Sequence, residues 1–278
     1  IFSTIGNLKS VSVNNIYGNT NLTAEHLSIF ANNKELSISG NLDFDGNTII
    51  GNWTKNFNKD NENISSIRGE LKLNKSLVDS LDIDLSEITL SNHANVDFSI
   101  IFSDGSSPLF FVSSDLKGLS LKSDSLDWVK KSKERGQFLM EGTLGPIPTI
   151  TKLIFSSDEL FLEGKVDFKD YQEVDKLVLT SLEFKDWLTT SLEITKFKKD
   201  NFNFDILNGE LDLRGFKFDS GNKINLAKIP SLLILDSVIL SDNITLTDLK
   251  AQFSDSDNSS GVFKSKINRG PEIEGTIK

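Results

Sequence analysis

Two histidines, His26 and His93, are the only imidazoles in the 278-residue chain. They lie far apart in sequence and neither has a partner at ligand-like spacing, so both read as surface or strand histidines rather than metal ligands. There is no cysteine, which excludes a thiol nucleophile, a disulfide framework and a Cys-ligated metal. Carboxylates are abundant, as at Asp82, Asp84 and Glu87. Paired-carboxylate catalysis needs two acids facing one another across a cleft, and no spacing marks such a pair. The chain has no GxSxG, P-loop or GxGxxG. Two basic runs remain, Lys130 to Arg135 and Lys196-Phe197-Lys198-Lys199, which could touch lipid headgroups but are more simply solvated loops. No catalytic residue, no metal site and no cofactor is expected, so function must come from shape.

Composition narrows the shape. Hydrophobic residues are 37% of the chain, low for a compact globule, while aromatics at 9% exclude simple disorder. A sheet with one dry face needs fewer apolar residues than a doubly covered core. The net charge is −10. Such a surface repels phosphate backbones and anionic headgroups at long range, so no nucleic acid partner is expected. No window approaches 18 apolar residues, the length of a spanning helix. The chain starts and stops inside patterned sequence, as expected of a segment cut from a longer protein.

The elements that must do the positioning are variations on one strand. In Leu160-Phe161-Leu162-Glu163-Gly164-Lys165-Val166-Asp167-Phe168, alternate residues are apolar, with Gly164 at the centre of the apolar side. Period two places alternate side chains on opposite faces, one dry and one wet. A glycine on the dry face permits a bend or a close backbone approach. The same word returns around Gly40 and Gly69, and more weakly around Gly142, Gly209 and Gly275. Asp45-Gly46 and several Asn-rich stretches between the runs are hairpin signals. Ile88 to Phe102 and Leu109 to Leu121 read as long strands joined through Ser103-Asp104-Gly105. Two short helices are expected, at 75–81 behind Asn74 as cap and at 123–131.

In the second half, apolar alternation slips phase midway through two strands. Leu177 and Leu179 are followed by Leu182 and Phe184, and Ile244 and Leu246 by Leu249, Ala251 and Phe253. An unbroken strand cannot change faces, so a bulge or turn is expected at Thr180-Ser181 and at Thr247-Asp248. No Pro- or Gly-rich linker divides the chain, which reads as a single elongated segment over 1–278. The expected fold is all-β: a long, curved, mostly antiparallel sheet forming an open groove, with one or two short helices. Roughly fifteen strands about 4.8 Å apart would make a sheet on the order of 70 Å long. Curling lets such a sheet shelter its dry face as a trough, to be filled by apolar side chains or by an apolar ligand. Shared phase around the recurring glycine assigns Ile38, Leu42, Phe44, Leu71, Leu73, Leu162, Val166, Phe168, Leu211 and Leu213 to one continuous concave lining.

Several stretches carry a family resemblance. Leu235 to Lys250, continued by Gly261 to Gly270 and Pro271 to Ile277, resembles the strand, short turn and strand pattern of AsmA-like proteins. Leu119-Ser120-Leu121 with Leu126-Asp127-Trp128-Val129-Lys130-Lys131 is similar to an element of the YhdP branch, with Asp127 where that element carries Gly. Trp53 with Phe57 is similar to a Trp-x-x-x-Phe element of the same branch. The resemblance implies a periplasmic segment of a protein anchored in the inner membrane by a part outside this chain. It also implies phospholipid acyl chains and neighbouring segments of the same longer chain as partners, with lipid passing along a β-groove between inner and outer membranes. A structural or adhesive surface protein, such as a β-solenoid passenger, is the alternative; its strands would coil in parallel and leave no trough. A glycan-active enzyme would need a polar cleft with clustered carboxylates, which the sequence does not mark.

Overall fold

The computed structural model describes residues 2–17, 20–57, 64–81, 83, 85, 87–170, 173–198, 201–215, 230–253 and 260–277. The fold is almost all β. Among the described residues, seventeen strands belong to a large, mostly antiparallel sheet that is not closed into a barrel, and three more make a small sheet. Contacts group the chain into two compact units, Ile1–Gly145 and Pro146–Lys278.

The first unit begins as a meander of β1 (Ser3–Tyr17), β2 (Thr20–Asn32), β3 (Glu35–Phe44), β4 (Asn47–Asn56) and β5 (Ile64–Leu73). Each pairs antiparallel with the next. The β3–β4 turn is the expected Asp-Gly pair, with φ of 50° at Asp45 and 80° at Gly46, the left-handed geometry of a tight hairpin. After β5 comes the short helix α1 (Lys75–Ser80), where the Asn74 side chain accepts from the Leu77 N–H at 2.9 Å. That cap satisfies one orphan donor at the helix start. Leu77 and Val78 are buried.

The expected long strand from Ile88 to Phe102 is in fact two, β6 (Thr89–Asn92) and β7 (Ala94–Ser103). Leu109 to Leu121 is likewise two, β8 (Leu109–Ser114) and β9 (Leu119–Ser123). Both break where the backbone turns left-handed, at Asn92 (φ 62°) and at Leu116 and Gly118 (φ 52° and 98°). At Asn92 the chain leaves the small sheet for the large one, and at Leu116 to Gly118 it returns to the small one. β7 and β8 continue the large sheet beside β5, followed by β11 (Gln137–Thr143). β6 and β9 pair with one another, and β10 (Trp128–Lys130) completes the small sheet beside β9.

The second expected helix, at 123–131, is therefore not formed. Its residues are the end of β9, a turn in which Asp127 takes φ 46°, and β10. Trp128 and Lys130 point inward and Val129 outward, a two-residue period that a helical reading of this short window conceals.

The second unit runs through β12 (Thr149–Ser156), β13 (Leu160–Phe168), β14 (Val174–Phe184), β15 (Leu188–Lys198), β16 (Asn201–Asp212), β17 (Leu232–Ser241), β18 (Ile244–Phe253), β19 (Gly261–Ile267) and β20 (Glu272–Ile277). Each pairs with its successor, antiparallel throughout except for the parallel pair β16–β17. Both expected phase slips are present. The β14 register shifts between Leu179 and Leu182, and the β18 register shifts between Thr247 and Lys250, where Asp248 takes φ 54°.

Candidate functional site

Register defines two faces in each unit, because residues paired across neighbouring strands share a face. In the first unit one row joins Ile29, Ile38, Trp53, Ile67, Ile100 and Phe110. A parallel row joins Leu42, Ile49, Leu71 and Val96. Between them, three glycines face one another on adjacent strands, Gly40, Gly51 and Gly69, flanked by Leu27 and Phe98. Neighbours occupy the space above these glycines. A Cβ on Gly69 would lie 2.2 Å from the Ile50 carbonyl and 2.8 Å from the Phe98 ring. Ile38, Leu42, Phe44, Leu71 and Leu73 all belong to this apolar face. Phe44 is buried and the other four are half-buried.

The second unit carries a longer apolar row. Leu153, Gly164, Leu179, Leu192, Ile206, Leu233, Ala251, Phe263 and Gly275 pair in turn across all nine strands. A second row on the same face joins Leu160, Phe184, Leu188, Leu211, Val238, Leu246 and Ile267. The two rows lie four residues apart on β13, β15 and β19 but five apart on β14, β16, β17 and β18. Irregular backbone on the latter strands absorbs the odd residue, so that both rows stay on one face. Leu179, Phe184, Val238 and Ala251 are buried, but Leu153, Leu192, Ile206, Leu233 and Phe263 are only half-buried. Leu162 and Val166 lie on this face of β13, half-buried and buried respectively, and Leu211 lies in the second row. Phe168 pairs with Val174 after a register shift. Leu213 follows β16 and donates its N–H to the Ile239 carbonyl at 2.8 Å.

The other face of the first unit has a hollow of about 1010 Å³. Two polar-face rows line it: Ser39, Asn52, Arg68, Ser99, Phe111 and Glu141, and Asn41, Ile50, Glu70, Asp97, Ser113 and Leu139. None of the ten residues assigned to a groove from sequence lines it. Glu70 stands directly opposite Asp97 on β5 and β7, a carboxylate pair that no sequence spacing revealed because it depends on strand register. Its only signal in the sequence was the polar phase around Gly69.

Of the chemistry-bearing residues, His26 and Glu87 are exposed, and His93 is exposed beside a hollow of about 470 Å³ that Asp115 and Lys117 also line. Asp82, Asp84 and Lys199 lie outside the described residues, and Lys196 to Lys198 close β15. Among the described residues, no three of His, Asp and Glu are grouped to hold a metal ion. The Lys130 to Arg135 run is only partly a solvated loop. Lys131 and Arg135 are exposed and pair with Glu134 and Asp115, but Lys130 is 1% exposed. Its ammonium donates to the carbonyls of Leu116, Leu119 and Glu134 at 2.7, 3.0 and 2.9 Å. It is a structural pin inside the small sheet and cannot meet a headgroup.

These features define a class: an open, mostly antiparallel β-sheet protein whose strands each carry an apolar and a polar face. No family model, curated protein or solved structure matches the chain. The likeness to AsmA-like proteins thus rests on the stretches quoted above.

Proposed function

We propose that this chain is a non-enzymatic lipid-shielding segment, holding phospholipid acyl chains against the apolar face of its sheet as they pass between the inner and outer membranes. In the full-length protein it would lie in the periplasm, anchored to the inner membrane. The observation that carries the reading is the apolar row across nine strands of the second unit, many of whose side chains stay half-buried. Removing an acyl CH₂ from water gains about 0.8 kcal/mol. A uniform aliphatic surface can therefore hold a chain through many weak, interchangeable contacts, which is what sliding transport requires. Antiparallel pairing supports an open sheet over the coiled alternative, in which strands stack in parallel.

The test uses Leu162, half-buried on this face. A photo-crosslinker at position 162, exposed to phospholipid vesicles, is expected to capture lipid. Leu162→Asp is expected to fold while losing lipid capture by a crosslinker placed instead at Leu192, half-buried on the same face, because a solvated face can hydrate the carboxylate. Val166 is already buried, so Val166→Asp serves as the control that unfolds whichever reading holds. No crosslink, together with unfolding of Leu162→Asp, would mean that these side chains are ordinary core.

A further inference from the structure

We propose that the polar hollow of the first unit binds a neutral oligosaccharide. The inference uses different residues from the lipid reading and does not rest on it. Six side chains carry it: Asn41, Asn52, Arg68, Glu70, Asp97 and Phe111, all exposed around the hollow of about 1010 Å³. The five polar ones make no hydrogen bond or ion pair among the described residues.

Elsewhere in the sheet some charged side chains of this kind do pair across strands. Lys176 reaches diagonally across strands to Glu193 at 2.7 Å, Lys266 meets Asp248 at 2.8 Å, and Lys264 meets Glu274 at 3.4 Å. Arg68 has the same diagonal relation to Asp97 and shares its strand with Glu70, yet it pairs with neither. Glu70 and Asp97 also stand directly opposite one another, an arrangement that costs a sheet stability. Donors and acceptors are thus held side by side and left open.

The ligand class follows from the chemistry. Both charge signs sit within one hollow, and the chain carries net −10, so a polyanion is repelled. No acidic group of metal-binding size lies among the described residues. A peptide strand would add to a free sheet edge, and these strands are interior to the sheet. Sugar hydroxyls both donate and accept, so they can serve Arg68 and the amides on one side and the two carboxylates on the other. The exposed Phe111 ring offers the flat apolar surface that the C–H face of a sugar needs. A wide, shallow hollow suits several sugar units rather than one enclosed small molecule.

The test is an amide NMR titration of the ¹⁵N-labelled 278-residue chain with chitotetraose, cellotetraose and maltotetraose, each to about 10 mM, where even ~3 kcal/mol of binding registers. At least one sugar is expected to shift amides around Gly40, Gly51, Gly69, Asp97 and Phe111. Asp97→Asn and Arg68→Gln should each weaken that binding about tenfold, because each removes a hydrogen bond to a charged group, with circular dichroism unchanged. The proposal is overturned if no sugar shifts these amides, if the shifts fall elsewhere, or if both variants bind as tightly as the parent. Equal shifts from inorganic phosphate would overturn it too, since they would mark an anion site.

Discussion

Lys130 places an ammonium where the surrounding fold offers backbone oxygen. Three carbonyls, from Leu116, Leu119 and Glu134, aim at its three N–H bonds, and the left-handed residues Leu116 and Gly118 turn that loop inward. Lys130→Met keeps much of the volume but takes the charged donor from all three oxygens, leaving that of Leu116 only the Leu119 N–H among the described residues, at 3.3 Å. It is expected to lower stability by about 3–5 kcal/mol in urea unfolding; a loss under ~1 kcal/mol would show that the cage is not what holds the loop. Arg214 marks a different kind of charge. It binds Asp212 through its side chain and its backbone N–H, and reaches Asp242 at 3.1 Å. The Asp212 carboxyl is held down at about 2, first by the Arg214 side-chain hydrogen bond and then by the backbone one. Its folded value lies below its unfolded value near 3.8. The pairing therefore favours the fold above that pH, and its contribution fades as pH falls from about 4 to about 2. Carboxyl NMR should find Asp212 titrating near 2 in the parent and higher in Arg214→Gln, where the retained backbone N–H still holds it below 3.8.

At the scale of strands, the recurring glycine is a steric requirement. A Cβ on Gly164 would lie 2.2 Å from the Val178 carbonyl and 3.0 Å from the Leu179 Cα. Gly209 needs glycine twice over, since its φ is 126° and a Cβ would lie 2.1 Å from the Thr189 carbonyl. Gly164→Ala is expected to cost roughly 1–3 kcal/mol through forced backbone movement. Gly6, on β1, has only Ile29 near its missing Cβ among the described residues, at 4.0 Å. Gly6→Ala should be neutral or stabilising by under about 1 kcal/mol. Thermal melts of the two variants check the contrast; equal effects would mean that the close approach at Gly164 is dispensable. The bulges at Thr180-Ser181 and Thr247-Asp248 were legible for a related reason. One extra residue reverses every later side chain, and the apolar pattern records the reversal. The irregularities on β16 and β17 were not legible, because Ile206-Leu207 and Leu232 to Leu235 are apolar on both phases and hide the slip.

Across the whole molecule, most strands pair with their neighbours in sequence, which is why short turns and alternating runs announced an antiparallel sheet. The departures lie where the chain changes partners. At Asn92 it passes from the small sheet to the large one and at Leu116 back again, and β16 and β17 meet in parallel after residues 213–231. The two proposed surfaces use the two chemical faces of this design. An apolar face tolerates a hydrated charge only while it is open, so Leu162→Asp reports on openness. A polar face binds only if its groups are idle, so Asp97→Asn reports on the hollow.

Period-two alternation, Asp-Gly turns and phase slips are properties of single strands, and the amino-acid sequence alone determined them: an all-β chain, mostly antiparallel, with the capped helix at Lys75–Ser80, though the same reading also expected a helix at 123–131 where β9 and β10 stand. It also determined which residues of a given strand share a face, as Ile38, Leu42 and Phe44 do on β3. Which residues of different strands stand together was decided only in three dimensions, because register depends on every turn and bulge between them. That is how Glu70 came to face Asp97, and Gly40, Gly51 and Gly69 came into line. The fate of a charge was decided there too. Lys130 and Lys131 are alike in sequence, but the first alternates into a ring of carbonyls and the second into water.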